Sequence, residues 1–300
     1  MVLVGGEMAL AGWFNGRVPG LRALCIYYWL HRMGHEVALL WAAHAVHHQS
    51  EDYNLSTALR QTSSGFLLAW VFYLPLALLG FPPLVFGAVA LIDLLYQFWV
   101  HTEQIGQLGW FDRVFCSPSN HRAHHAVNDQ YLDRNYGGVL ILFDRWFGTF
   151  AHEDPADPVV YGTRSPLRSF NPLWANLEIY WAIAQEVRRC ERWQDKLLLP
   201  FKPPGWRPAD VVANYPKPPF DLALARHRYD PPLSTAKRAA MALVFVSSLV
   251  VTAWLLWNAH VLSLPEQLVS AALVVAGMAL TGYLGEQRLG FGAAPRSTAM

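Results

Sequence analysis

The chain has 300 residues, of which 53% are apolar and only 15% charged, with 13 Trp and a mean hydropathy of +0.19. Soluble domains carry more charge, and amphipathic indole rings favour the membrane–water boundary, so the composition points to a bilayer. The net charge of +1 offers nothing to nucleic acid.

Cys25, Cys116 and Cys190 are odd in number and lack a CxxC spacing. They form neither a disulfide framework nor a zinc ribbon, which fits a reducing compartment. Met1 to Leu10 has no basic n-region and no cleavage site, so no secretory signal peptide is expected. The stretch Leu21–Ala43 is apolar but carries histidines, and reads as a helix leaving the membrane. Ser64–Leu79 and Leu84–Val100 read as a membrane hairpin, joined by the uncharged turn Gly80-Phe81-Pro82-Pro83. Both are short against the roughly 20 residues a span requires. Asn135-Tyr136-Gly137-Gly138 reads as a turn with left-handed glycines.

Asn171–Leu199 reads as one long amphipathic helix, with Leu173, Trp174, Leu177, Tyr180 and Trp181 at helical spacing and Arg188, Arg189 and Arg192 near its end. It suits either the interface plane or the flank of a catalytic domain. Pro-rich Phe201–Phe220 reads as an extended strap. Met241–Trp257 and Leu268–Leu284 are two further apolar stretches. The Gly80–Pro83 and Ala259–Pro265 turns contain no Lys or Arg, whereas His101–Thr235 holds fifteen of the chain's 23. The positive-inside tendency puts that segment in the cytoplasm and both turns outside. The expected fold is therefore all-α. It is an integral membrane bundle of about four to five membrane helices, capped by a cytoplasmic, helical, histidine-rich di-metal domain. Residues 1–235 would form the catalytic domain, with the hairpin at about 64–100, and 236–300 a C-terminal membrane helix pair.

Nine of the twelve histidines lie between His31 and His125. His31 and His35 form HxxxH, while His44, His47 and His48 form HxxHH. His121, His124 and His125 repeat HxxHH, and His101 stands alone after the second apolar stretch. Residues three or four apart share a helix face, so each HxxHH is expected to offer three imidazoles to one place. Nine ligands exceed the six sites of one ion and suit two. Imidazole suits Zn, Cu, Fe and Ni, and the patterns hold no thiolate. Zinc sites use four ligands, or three and a water, which nine histidines exceed. Two irons with open positions for dioxygen fit best. By angular count His44, His47 and His48 fall opposite His31 and His35 on a straight helix, so a bend is expected between His35 and His44, although neither Gly nor Pro stands there. His152, His227 and His260 lie outside the patterns.

Beyond the ligands, metal-bound imidazoles usually donate their second N–H to a carboxylate, carbonyl or water. Glu36, Glu51, Asp52, Glu103 and Asp129 lie near the motifs, and Glu51 is the foremost candidate. Asp93, Gln97 and His101 follow one helix face at i, i+4 and i+8, with Asp93 deep in an apolar run where a charge needs a partner. Glu51, Asp93, Gln97 and Asn135 are the candidate catalytic residues. Tyr27, Tyr28, Trp29, Trp70 and Phe98 are candidates to line a lipid channel.

The order HxxxH, HxxHH, a lone His after a membrane hairpin, then HxxHH resembles the fatty acid hydroxylase/sterol desaturase superfamily. Longer phrases resemble its alkylglycerol monooxygenase branch and the bacterial members of that branch: Tyr27–Arg32, His47–Gln61, Gln97–Glu103, Pro118–His125, Asn135–Gly138 and Asp144–Thr149. Two positions depart from the pattern, with Leu24 or Cys25 in place of an acid and Gln49 in place of a Ser. The resemblance implies a non-haem di-iron membrane enzyme that uses O2, placed in a bacterial inner membrane. For the narrower branch it implies cleavage of glyceryl ether lipids, with tetrahydrobiopterin or another electron donor as reductant. A sterol or fatty-acid hydroxylase or desaturase of the same superfamily, a zinc-dependent membrane hydrolase, and a metal transporter or store are the competing readings.

Overall fold

The computed structural model describes residues 19–286, so Met1 to Leu10 lies outside the described residues. Among these the chain is all-helical, with two isolated bridges, Phe115 to Leu140 and Ala126 to Tyr161. The described chain divides into two compact units, one of residues 19–166 and 176–227, the other of 167–175 and 228–286. The second unit therefore begins a little before residue 236 and also takes in a short segment from mid-chain.

In the first unit, α1 (Pro19–Glu36) is followed at once by α2 (Ala38–His48). The bend falls at Val37, which is extended (φ −122°, ψ 120°). Its N–H still bonds to the Met33 carbonyl at 3.0 Å, but Ala38 N–H instead meets the Lys202 carbonyl at 2.9 Å. A backbone acceptor from a distant part of the chain thus starts the new helix, and no local breaker is needed. Asn54 caps the short α3 (Leu55–Ala58), exchanging hydrogen bonds with Thr57 in a capping box.

The hairpin comprises α4 (Gly65–Leu78) and α5 (Pro83–Trp99), turning at left-handed Gly80 (φ 70°). At about 1.5 Å per residue neither matches the roughly 30 Å of a bilayer core. Their outer faces expose Leu67, Leu78, Leu91 and Leu95. Ser117 caps α6 (Pro118–His124) by accepting from Asn120 N–H, with Pro118 in the first turn. Left-handed Gly148 ends α7 (Leu142–Phe147).

Two expectations are corrected. Asn171–Leu199 is not one helix but α8 (Pro172–Arg189) and α9 (Trp193–Leu198). Arg192 is extended (φ −81°, ψ 130°), and Glu191 N–H leaves the helical ladder for Asp210 Oδ2 at 2.8 Å. The strap after Phe201 is not fully extended, since it holds α10 (Ala209–Asn214), with α11 (Leu222–Ala225) beyond it. Val211 of α10 packs with Cys190 and Leu199 in a small core that fixes the break.

The second unit is built on α12 (Thr235–Asn258) and α13 (Leu264–Gly285), whose mean hydropathies reach 2.3 and 1.8. By length and composition both can cross a membrane. Each begins several residues before its apolar run because a serine caps it: Ser234 accepts from Lys237 N–H, and Ser263 forms a capping box with Glu266. A Cβ on Gly277 would lie 2.2 Å from Ser248 Oγ, so the two helices touch through small residues.

Candidate metal centre

All nine patterned histidines meet inside the first unit, in two groups whose ligand nitrogens lie within 4.8 Å of one another. One group holds His31, His35, His44, His48 and His124, and the other His47, His101, His121 and His125. Both are purely histidine, and all the rings are buried except His44 and, at the edge of burial, His47. His152, His227 and His260 belong to neither. The HxxHH triads do not each converge on one place, as their spacing suggested. The i and i+4 rings go together, and the i+3 ring crosses to the other group. The reason is angular: i and i+4 differ by about 40°, while i+3 stands about 100° from i+4. Each motif therefore straddles the boundary between the groups, where His48 and His125 stack at 4.2 Å.

The ring nitrogens face one another closely. His44 Nε2 lies 3.1 Å from His31 Nε2 and 3.0 Å from His48 Nε2. His101 Nε2 lies 3.2 Å from His47 Nε2 and 3.1 Å from His121 Nε2, which is 3.2 Å from His125 Nε2. The contact between His47 and His101 is not an ordinary hydrogen bond. His47 Nδ1 meets the Arg60 carbonyl at 3.2 Å, and His101 Nδ1 the Gln97 carbonyl at 2.6 Å. A carbonyl only accepts, so each Nδ1 carries the proton and each Nε2 presents a lone pair. Two lone pairs then face each other at 3.2 Å. Protonation does not resolve this. Burial, then the neighbouring His101, pushes His47 down to about 3, and burial pushes His101 down to about 4. His35 Nε2 and His124 Nε2 are also buried without a partner. A cation between the rings satisfies all of these atoms. Nitrogens about 2.1 Å from an ion, at right angles, stand about 3.0 Å apart, which matches the observed spacings. The residues present fit two metal ions.

Four of the nine second ring nitrogens turn to main-chain carbonyls. Besides Arg60 and Gln97, the Tyr136 carbonyl meets His31 Nδ1 at 2.8 Å, and the Arg134 carbonyl meets His124 Nδ1 at 2.8 Å. A carboxylate that sequence reasoning missed, Asp133, lies 3.6 Å from His35 Nδ1. Glu36 pairs with Arg32, Glu103 accepts from Tyr161, and Asp129 pairs with Arg164. Glu51 is half-buried and, like Asp52, belongs to neither histidine group. The phrase around it also contributes Arg60. The Arg60 side chain is held by the Val46 carbonyl at 2.6 Å and Gln49 Oε1 at 3.0 Å, and so fixes the carbonyl behind His47. Tyr53 stacks on His101 at 5.5 Å.

Asn135 is fully buried, and its amide is spent on the backbone of Asn120 and Ala151. The left-handed residues of this turn are Asp133 (φ 56°) and Asn135 (φ 58°), not its glycines. Gly137 and Gly138 are required for space. A Cβ on Gly137 would lie 2.3 Å from the Leu140 carbonyl oxygen, and one on Gly138 2.5 Å from Asp93 Oδ1.

A cavity of about 600 Å³ opens between α1, α3, α4 and α5. Leu24, Phe86, Val89 and Phe98 line it with other apolar residues, and His31, His44, His47 and His101 belong to its wall. Asp93, Gln97 and Tyr27 form its polar patch: Gln97 donates to Asp93 Oδ2 at 2.8 Å, and Tyr27 donates to Gln97 Oε1 at 2.7 Å. Asp93 Oδ1 is buried without a hydrogen-bond partner. Of the other aromatic residues singled out in the sequence, Tyr28 and Trp29 pack against Phe147 and Trp70 is exposed, so these three do not line the cavity.

Residues 21–149 match the fatty acid hydroxylase family. The chain is 40% identical over 267 residues to alkylglycerol monooxygenase of Danio rerio, covering 87% of this chain and 58% of that protein. It is 46% identical over 182 residues to the Homo sapiens alkylglycerol monooxygenase, covering 61% of this chain and 40% of that protein. It is 30% identical over 129 residues to the ornithine lipid hydroxylase OlsE of Rhizobium tropici, covering 43% and 39%. The chain thus spans about half the length of the curated relatives it matches. No solved structure matches it.

Proposed function

Through residues 21–149 the chain belongs to the fatty acid hydroxylase family, and from that premise we propose that it is a membrane-bound di-iron monooxygenase that hydroxylates a lipid C–H bond with O2. The observation that carries this reading is the junction of two all-histidine groups with an apolar cavity bounded by α4 and α5. The relatives named for alkylglycerols extend the reading to glyceryl ether lipids. Hydroxylating the carbon beside an ether oxygen gives a hemiacetal, which falls apart to an aldehyde and an alcohol.

His31, His35, His44, His48 and His124 would hold one iron, and His47, His101, His121 and His125 the other. Bound iron supplies the O2 chemistry: one oxygen atom enters the C–H bond and the other leaves as water, with two electrons and two protons from an external donor such as tetrahydrobiopterin. The chain itself supplies position. Leu24, Phe86, Val89 and Phe98 receive the alkyl chain and exclude water, so the lipid reaches the rings without crossing the aqueous phase. Gln97, oriented by Asp93, and the Tyr27 hydroxyl give the cavity its hydrogen-bonding patch, which suits the polar end of the lipid. The carbonyls of Arg60, Gln97, Arg134 and Tyr136 keep the proton on Nδ1 of their histidines, leaving each Nε2 free to ligate.

The proposed topology keeps His101–Thr235 in the cytoplasm, because the Lys and Arg residues gather there. Tags at Pro82 and Ser263 should then report the outer side, and a tag at Pro155 the inner side. The function is tested by mass spectrometry of cell lipids with and without the protein, together with metal analysis after anaerobic purification. Products one oxygen heavier, or the aldehyde and alcohol of an ether lipid, are expected, with about two irons per chain. One zinc without iron, and unchanged lipids, would point to the zinc-dependent hydrolase instead.

A further inference from the structure

We propose that the loop 133–136 orients one of the two histidine groups and not the other, with Asn135 as its positioning residue. This rests on the reading of the groups as metal sites. Three of the five rings of the first group are met from behind by this loop. Asp133 Oδ1 lies 3.6 Å from His35 Nδ1, the Arg134 carbonyl 2.8 Å from His124 Nδ1, and the Tyr136 carbonyl 2.8 Å from His31 Nδ1. In the second group, the acceptors behind His47 and His101 come from Arg60 and Gln97. The acceptors behind these two rings therefore come from other parts of the chain than the loop.

The loop is shaped to do this at a cost. Asp133 and Asn135 both hold left-handed backbone, which strains a residue with a Cβ and persists only where its surroundings enforce it. At Asn135 the enforcement is complete. Its Nδ2 donates to the Asn120 carbonyl at 2.9 Å and the Ala151 carbonyl at 2.8 Å, and its Oδ1 accepts from Ala151 N–H at 2.8 Å. Its own N–H donates to the Thr149 carbonyl at 3.0 Å. Buried Asp144 accepts from Tyr136 N–H at 2.7 Å and Gly137 N–H at 2.8 Å, closing the far side. Flanked by these clamps, the Arg134 and Tyr136 carbonyls both reach rings of the same group. Asn135 touches no histidine; it acts on the first group through the two carbonyls beside it, and its bond to the Asn120 carbonyl holds the helix that serves both groups.

The test is selective metal loss in the full-length chain. Asn135→Gly keeps left-handed backbone without strain but removes the three side-chain bonds. Asp133→Asn alters only the half-exposed carboxylate next to His35. Iron per chain and its release to a chelator are measured for both variants and the wild type. The wild type should hold about two irons. Asn135→Gly should hold about one, released in a single phase. Asp133→Asn should keep both but release one of them about tenfold faster, as for an outer ligand partner. Two irons with unchanged release in both variants would overturn the proposal. So would loss of both irons in Asn135→Gly with Asp133→Asn unchanged, because the loop would then serve general folding. A wild-type chain that binds no metal overturns the metal reading itself, which the wild-type measurement shows separately.

Discussion

The histidine-bearing unit and the C-terminal helix pair both bury polar atoms, for opposite reasons. In the helix pair, Ser248 and Ser270 turn their hydroxyls onto their own helix, to the carbonyls of Val244 at 2.8 Å and Glu266 at 2.7 Å. Each is satisfied locally, so it can sit in the contact between helices while Leu243, Leu256 and Leu273 face outward. In the histidine unit, by contrast, the buried ring nitrogens are not satisfied among themselves. His47 and His101 aim lone pairs at each other, and His35 Nε2 and His124 Nε2 have no partner. The first arrangement is complete in the chain alone, and the second is completed by what it binds.

The sharpest way to break this comparison is to remove ligands. His44→Ala and His121→Ala should each lower metal content and reduce lipid oxidation by about 100-fold or more, whereas His152→Ala, His227→Ala and His260→Ala should leave both unchanged. His101→Ala should lose activity with partial metal loss, since three rings of its group remain. Elemental analysis paired with a membrane activity assay decides this. Full activity in His121→Ala would dissolve the distinction between the units.

Acid should separate the two units next. In the metal-free protein His47 and His101 are depressed to about 3 and about 4 in the folded state, from 6.5. Below pH 6.5 the unfolded chain therefore takes up protons that the folded chain refuses. The stability these neutral rings contribute is fully present above about pH 6.5 and is lost progressively as pH falls from there to about 3. Metal-free protein should unfold at progressively lower denaturant between those limits, and the iron-loaded protein less so. Equal midpoints at pH 7 and pH 4.5 would count against buried neutral rings.

The smallest effect belongs to the helix pair. Gly277→Leu forces a side chain into the space of Ser248 Oγ and should cost about 1–3 kcal/mol. Iron content should stay constant, because the pair contributes no ligand. Reduced thermal stability with unchanged iron per chain is the expected pair of readings. Loss of iron in this variant would show that the units are not separable in this way.

The amino-acid sequence by itself determined the apolar stretches, the nine ligand candidates and the need for a bend between His35 and His44, because hydropathy and helical spacing act over a few residues. The i, i+4, i+8 relation of Asp93, Gln97 and His101 was equally legible, being one helix face. Other features depended on partners distant in sequence. Val37 breaks the helix because the Lys202 carbonyl supplies the next acceptor. The long amphipathic helix stops where Asp210 takes Glu191 N–H. The angular spread within each HxxHH motif is local, but which ring joins which group depends on the separate segments that face it. Four of the groups behind the rings are main-chain carbonyls, which every residue possesses. No residue type marks them, and only the folded path of the chain brings Arg60, Gln97, Arg134 and Tyr136 to the histidines they hold.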